Sequence, residues 1–385
     1  MLTMTRTMRR LAPAAALLLA GTLGLAACGS DPSPADPEDS GSESGSEDGG
    51  AQSVSAGWVS AIDQVGLPAA LDRGYFEDAG LDVTVEEPFA SGVDMLNALE
   101  TDQIQFAQVG APFIGAYLAG ADYVIVGNYT GSAVTTGIDE TMAVVASESS
   151  GITEGDFSSL AGTRIGVTVG SINHLYLLAA LEDEGMSPDD VEIVNTAAPD
   201  MAVALQTDGV DAVVIWDPWP FTIEDQVEGA YTVQRGGGHI AFIGYVVARR
   251  DFVEENPETV ESFLTARAEA DQWMRENPDE AGELASRWLT SLDEQVAADA
   301  MQFNIQQLDP RLSACNYAAL DTAQATLFEL DATEGTFDVN DVFVPDPMLA
   351  VAEANPDLFS DLDPIPDSAV IGTDFAFDPA GDQCP

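Results

Sequence analysis

The chain of 385 residues contains no lysine at all. Its 12 basic residues are all arginine, set against 66 acidic residues, so the formal charge is −54. A field of that sign repels nucleic acid and anionic lipid head groups, which excludes both as partners. Acidic residues spread over the whole body without any lysine point to adaptation to high salt, where screening relieves self-repulsion. Histidine is scarce, with two residues, and cysteine numbers three. No His/Cys set has the spacing of a metal site, and there is no Gly-x-Ser-x-Gly elbow or Walker sequence. Asp338-Val339-Asn340-Asp341 lacks the spacing of a calcium loop. No catalytic residue, metal or cofactor is therefore expected. Beyond Ala27 no apolar run is long enough to cross a bilayer.

What is present begins with a basic head (Arg6, Arg9, Arg10) and an apolar stretch, Leu11 to Ala27. They end in Leu25-Ala26-Ala27-Cys28. That order is a secretion signal rather than a spanning helix. A cysteine directly after the small residues resembles a bacterial lipoprotein signal, in which the thiol of Cys28 takes the lipid. The expected arrangement is a leader over 1–27 and an acidic Gly/Ser/Pro tether over 28–53. The tether has too little apolar surface to fold. The body would then sit outside the cytoplasm, on the outer face of the cell membrane. Cys315 and Cys384 remain, and an even pair in an exported chain reads as a disulfide.

The body repeats one pattern twice. Strands at 54–58, 82–86, 104–109 and 123–128 alternate with helices, and the pattern recurs with strands at 164–169, 192–195 and 211–216. A further strand at 245–249 precedes amphipathic helices at 252–276 and 278–290. Alternation at this spacing predicts an α/β protein of two lobes, each a mostly parallel sheet with helices on both faces. The expected limits are 54–145 for the first part of lobe 1 and 146–236 for lobe 2. Residues 237–385 complete lobe 1 and add a C-terminal extension. Crossings are expected at 143–150 and 236–241, the second containing Gly236-Gly237-Gly238, whose torsional freedom suits a hinge.

Ligands of open α/β sheets lie beyond the carboxyl ends of the strands. Those ends supply Trp58, Ser91, Gly92, Gly110, Ala111 and Thr130 in the first lobe. In the second they supply Ser171, Asn173, His174, Trp216 and Asp217. Ser91 and Ser171 each precede a helix, where the unpaired N–H groups and the positive end of the dipole hold an oxyanion without a basic side chain. Trp58 and Trp216 are expected as walls, and Asp217 as a partner for an amine.

These landmarks resemble the periplasmic substrate-binding proteins of the nitrate/sulfonate/taurine uptake group of ABC transporters. The likeness is carried by Gly74-Tyr75-Phe76-Glu77, Gly80-Leu81-Asp82-Val83, Ser91-Gly92 and Ala119-Gly120-Ala121-Asp122. It continues through Leu160-Ala161-Gly162-Thr163-Arg164-Ile165-Gly166-Val167, Gly209-Val210-Asp211-Ala212 and Trp216-Asp217-Pro218. Asp251-Phe252 and Asn256-Pro257-Glu258 complete it. The resemblance implies the type II binding-protein fold, closing by hinge motion on a small solute and delivering it to permease subunits as a monomer. Two departures stand out: Asp102-Gln103-Ile104-Gln105 replaces the usual Gly-x-Ile-Asp turn, and residues from about 310 onward match nothing in the pattern. The cysteine-rich stretch of the single-turnover thiamine-precursor branch is missing. An alkanesulfonate or taurine is the first expectation for the solute. Nitrate, a pyrimidine or thiamine precursor, or an extracytoplasmic enzyme on the same fold are the alternatives.

Overall fold

The computed structural model describes residues 51–385, apart from 137–138, 242–243, 291, 382 and 385. The leader, Cys28 and all but the last residues of the tether lie outside the described residues. The chain lays down β1 (Gln52–Gly57), β2 (Leu81–Val85), β3 (Phe106–Val109) and β4 (Tyr123–Thr130) before crossing to a second sheet. There it builds β5 (Met142–Ala146), β6 (Arg164–Val167), β7 (Glu192–Asn195), β8 (Ala212–Trp216) and β9 (Tyr231–Arg235). It then returns and inserts β10 (Gly244–Arg249) between β3 and β4.

The two five-stranded sheets follow one plan, with orders β2-β1-β3-β10-β4 and β7-β6-β8-β5-β9. β1 runs parallel to β2 and β3, while β10 is antiparallel to both its neighbours. β6 likewise runs parallel to β7 and β8, and β5 opposes β8 and β9. In each sheet the reversed strand is the one on which the chain arrives from the other lobe. β4, β5 and β8 are buried at every position, as continuous apolar strands covered on both faces must be. The edge strand β2 alternates, with Leu81 and Val83 buried and Asp82 and Thr84 exposed.

The helices between the strands are α1 (Gly66–Asp72), α2 (Tyr75–Asp78), α3 (Gly92–Glu100), α4 (Pro112–Leu118), α5 (Ile172–Asp183), α6 (Met201–Gln206) and α7 (Trp219–Gln226). After β10 come α8 (Arg250–Glu255), α9 (Pro257–Glu276) and α10 (Pro278–Trp288). The last three are α11 (Glu294–Asn304), α12 (Ala314–Glu329) and α13 (Asp346–Ala354). α9 lies against α1, α2 and α13. Its Phe263 ring stacks on Phe106 of β3 at 3.8 Å and on Phe76 of α2 at 5.2 Å, tying the late helix into the first lobe's core.

Several boundaries differ from the sequence expectation. Residues 143–146 are not a crossing but belong to β5, so the chain enters the second lobe before Met142 and the first part of lobe 1 ends earlier than 145. Gln52 and Ser53 pair with Leu81 and Asp82, so the end of the expected tether is the start of β1. The helix expected over 252–276 is broken at Asn256-Pro257, because a residue before proline is pushed out of the helical region. The second crossing contains Gly236, Gly237 and Gly238, all with positive φ, the region that favours glycine. The buried carboxylate of Asp139, in the first crossing, accepts from the backbone N–H of Gly238, His239 and Ile240, and so clasps one crossing to the other.

The residues beyond 310 cover the first lobe's open edge. Ile125 N donates to Val342 O and Val344 N to Ile125 O, so a short extended piece pairs beside β4. An aromatic group of Tyr245, Tyr317, Phe343 and Phe375 fills the space behind it. A disulfide joins Cys315 in α12 to Cys384, 69 positions later.

Candidate functional site

A cavity of about 50 Å³ lies between the two lobes, at the carboxyl ends of their strands. The first lobe contributes Asp63, Gln64, Gly92, Gln108 and Gly110, and the second contributes Met142, Ser171, Ile172 and Trp216. The space suits a few water molecules or a solute of a handful of heavy atoms. The lobes are latched around it. The indole Nε1 groups of Trp216 and Trp219 both donate to Ser60 O, at 3.1 and 2.8 Å, and Ile62 N donates to Asp217 O at 3.2 Å. Trp216 also borders a second chamber of about 140 Å³ with Phe89 and Pro199.

Two helices aim their first turns at this space. α3 begins with Gly92 and α5 with Ile172, each preceded by a capping serine in extended conformation. The serines differ. Ser91 Oγ accepts from Asp94 N and donates to Asp94 Oδ2, so both of its functions serve its own helix. Ser171 Oγ accepts from His174 N at 3.4 Å, which leaves its hydroxyl hydrogen for another acceptor. At Gly92 a Cβ would sit 3.0 Å from Pro112 Cγ and Val109 Cγ2, so a side chain there would crowd two residues of the cavity wall.

The floor is a glutamine pair. Gln64 Oε1 accepts from Val59 N, and its Nε2 donates to Gln108 O and to Tyr129 Oη. Gln108 Nε2 donates back to Gln64 O, while Gln108 Oε1 stays buried without a partner. Asp63 stands beside them, 7% exposed. Burial pushes its carboxyl up to about 7, and the negative charge of Asp217 adds to that, against the opposing pull of its own backbone N–H.

The expected residues thus fall into three groups. Gly92, Gly110, Ser171 and Trp216 line the cavity. Ser91, Ala111, Asn173 and His174 flank it on the same turns without facing it. Asn173 is fully buried with neither amide atom paired. His174 Nδ1 accepts from Gly170 N, and burial lowers its pKa. Trp58, Thr130 and Asp217 do not line it. Trp58 is wholly buried, donates to Glu86 O and meets Trp288 edge-on, which makes it core rather than wall. Thr130 is fully buried behind the cavity, beside Asp63. Asp217 is taken: Arg235 Nη1 donates to both of its oxygens, at 2.7 and 2.9 Å, and Asn304 Nδ2 donates to Oδ2 at 3.0 Å. Burial pushes Asp217 up to about 6 while Arg235 holds it down.

Sequence reading missed Gln64, Gln108 and Arg235. Gln108 had a signal, since it is the one polar residue in the apolar strand Phe106-Ala107-Gln108-Val109. Arg235 had none, because β9 itself was not recognised. Its guanidinium lies over Phe221 and Phe303 as well as on Asp217. Of the nine arginines beyond the leader, eight meet a carboxylate and Arg73 lies over Trp273. No arginine is left to face the cavity, so an anion there would be held by N–H and O–H groups.

Comparison with known proteins agrees with this geometry. Residues 62–281 match the family described as NMT1/THI5 like, which is more than half of the chain. A Bacillus subtilis (strain 168) protein named for binding aliphatic sulfonates is 31% identical over 282 residues, 72% of this chain and 81% of that protein. The taurine-binding periplasmic protein of Escherichia coli (strain K12) is 28% identical over 212 residues, 55% of this chain and 63% of its own length. Among solved structures, the alkanesulfonate-binding protein of Xanthomonas axonopodis pv. citri, bound to MOPS, superposes with a TM-score of 0.66. At 21% identity it covers 76% of this chain and 98% of its own, a likeness that speaks for the fold. Two sheets of one design, a latched cleft between them and a matched family model lead to one assignment: the chain belongs to the NMT1/THI5-like family.

Proposed function

We propose that this chain is the extracytoplasmic solute-binding component of an ABC importer. It captures a small organic anion or zwitterion, an alkanesulfonate or taurine-like solute first, and hands it to membrane permease subunits. Cys28 carries the lipid that holds it to the outer face of the cell membrane, and the protein acts as a monomer without catalysing a reaction. The observation that carries this reading is the cavity bordered by the first turns of α3 and α5 from opposite lobes. The N–H groups there complement an oxyanion, and Trp216 supplies an apolar side for a short carbon chain. The names of the relatives support the same class of solute.

A thermal-shift panel of alkanesulfonates, taurine, nitrate, sulfate and pyrimidines tests it, run on the purified protein in molar salt. A ligand that binds only the folded state raises the melting temperature in a saturable way. A rise confined to the sulfonates is expected. A rise with pyrimidines alone, or a flat panel, would overturn the assignment.

A further inference from the structure

Ion pairs do little to hold the lobes together. Apart from His239–Asp183 at the second crossing, each ion pair among the described residues stays within one lobe. One helix nevertheless reaches from the first lobe to the second. α11 packs on α10 and on the turn Ile62–Gln64, and it also touches α7. At its C-terminal end Asn304 Nδ2 donates to Asp217 Oδ2 at 3.0 Å, and the Phe303 ring lies 5.3 Å from the Arg235 guanidinium. Phe221 of α7 lies 4.7 Å from the same guanidinium. Ile62 N donates to Asp217 O, so the first lobe grips Asp217 at both main chain and side chain. Phe303, Asn304, Asp217 and Arg235 do not line the cavity, and the first two lie beyond residues 62–281 of the family match.

We infer that Phe303 and Asn304 form a latch that closes the lobes from outside the solute cavity. Parting the lobes takes one donor away from the buried carboxylate of Asp217 and strips Phe303 from the guanidinium that balances its charge. Both losses favour the closed form. A latch in this place raises the closed fraction for any solute that fits. Asn304 is then a positioning residue, which sets affinity and residence time without choosing the ligand. The inference goes beyond the identity of the solute, and a flat ligand panel would leave it standing.

Hydrogen exchange tests it, on the purified protein in molar salt with no solute added. The reporters are three hydrogens bonded between the lobes: the Nε1–H of Trp216 and of Trp219, and the N–H of Ile62. The Nε1–H of Trp58, bonded to Glu86 O inside the first lobe, is the reference. Opening of the lobes exposes the three reporters and spares the reference. Asn304→Ala is expected to lower protection of the three about tenfold, the effect of losing one hydrogen bond to a charged group, and to leave Trp58 unchanged. Phe303→Ala, at a ring 40% exposed, is expected to act in the same direction, and it decides the matter if Asn304→Ala does not fold. Phe328→Ala, at a similarly exposed ring on α12, is expected to change none of the four. Unchanged protection of the three reporters in a folded variant would overturn the latch. An equal fall at Trp58 would overturn it too, since that marks a general loss of stability.

Discussion

Ser91 and Ser171 hold matching positions in the two lobes, yet only Ser171 has a hydroxyl hydrogen to offer. Replacing Ser171 by alanine should weaken solute binding about tenfold, the loss of one hydrogen bond of ~1.4 kcal/mol. Ser91→Ala should instead loosen the start of α3, by ~1 kcal/mol of stability, with a smaller effect on affinity. Trp58 supplies the opposite contrast to Trp216. Trp58→Ala opens a hole in the core and should cost about 3–5 kcal/mol in a denaturant titration, with affinity unchanged in the protein that still folds. A large fall in affinity with stability intact would return Trp58 to the cleft wall. Sequence placed both tryptophans at strand ends correctly. It could not separate them, because which face a side chain takes after a strand ends depends on tertiary packing. The same holds for Asp217, whose partners come from 18 and 87 positions away.

At the level of elements, the sequence made the parallel strands and their helices legible, because apolar runs and turn residues alternate cleanly from β1 to β8. It hid β5 and β9, the strands next to the crossings. Met142-Ala143-Val144-Val145-Ala146 has no alternation and no flanking α-helix, so its pattern does not distinguish a strand from a connection where the chain enters the second sheet. The C-terminal region was opaque for a different reason. Its pairing beside β4 is made with Ile125, about 220 positions before Phe343, and its aromatic packing with Tyr245, about 100 positions before, both beyond any local pattern. The disulfide that secures this region closes a loop of 69 residues. Reduction, or Cys315→Ser with Cys384→Ser, should lower unfolding free energy by about 4 kcal/mol through chain entropy. A guanidinium titration with and without reductant checks this, and a change below ~1 kcal/mol would show that the tail is held by packing alone.

For the whole molecule, charge sets the response to solution conditions. A body this acidic should gain stability steadily from dilute to molar salt, as screening shortens the range of self-repulsion. Its pH response has a defined sign. Burial raises Asp63 to about 7, and Asp217 and Asp271, the latter buried in α9 beside Arg267, to about 6, each from 3.8. Between those limits the folded state holds protons that the unfolded chain releases. The stabilisation is therefore complete below about 4 and is lost as pH rises through 6 and 7. Melting temperature should fall from pH 5 to about 8, and Asp63→Asn should flatten the upper part of that slope. A slope unchanged in the variant would mean that Asp63 does not carry the proton.

The most direct check of how the cleft holds its solute is a side-by-side calorimetric titration of the wild-type protein and Ser171→Ala with one short alkanesulfonate or taurine. The expected result is saturable one-to-one binding to the wild type, weakened about tenfold by the loss of the Ser171 hydroxyl. No heat of binding to the wild-type protein, or equal affinity for both proteins, would contradict an oxyanion site between the first turns of α3 and α5.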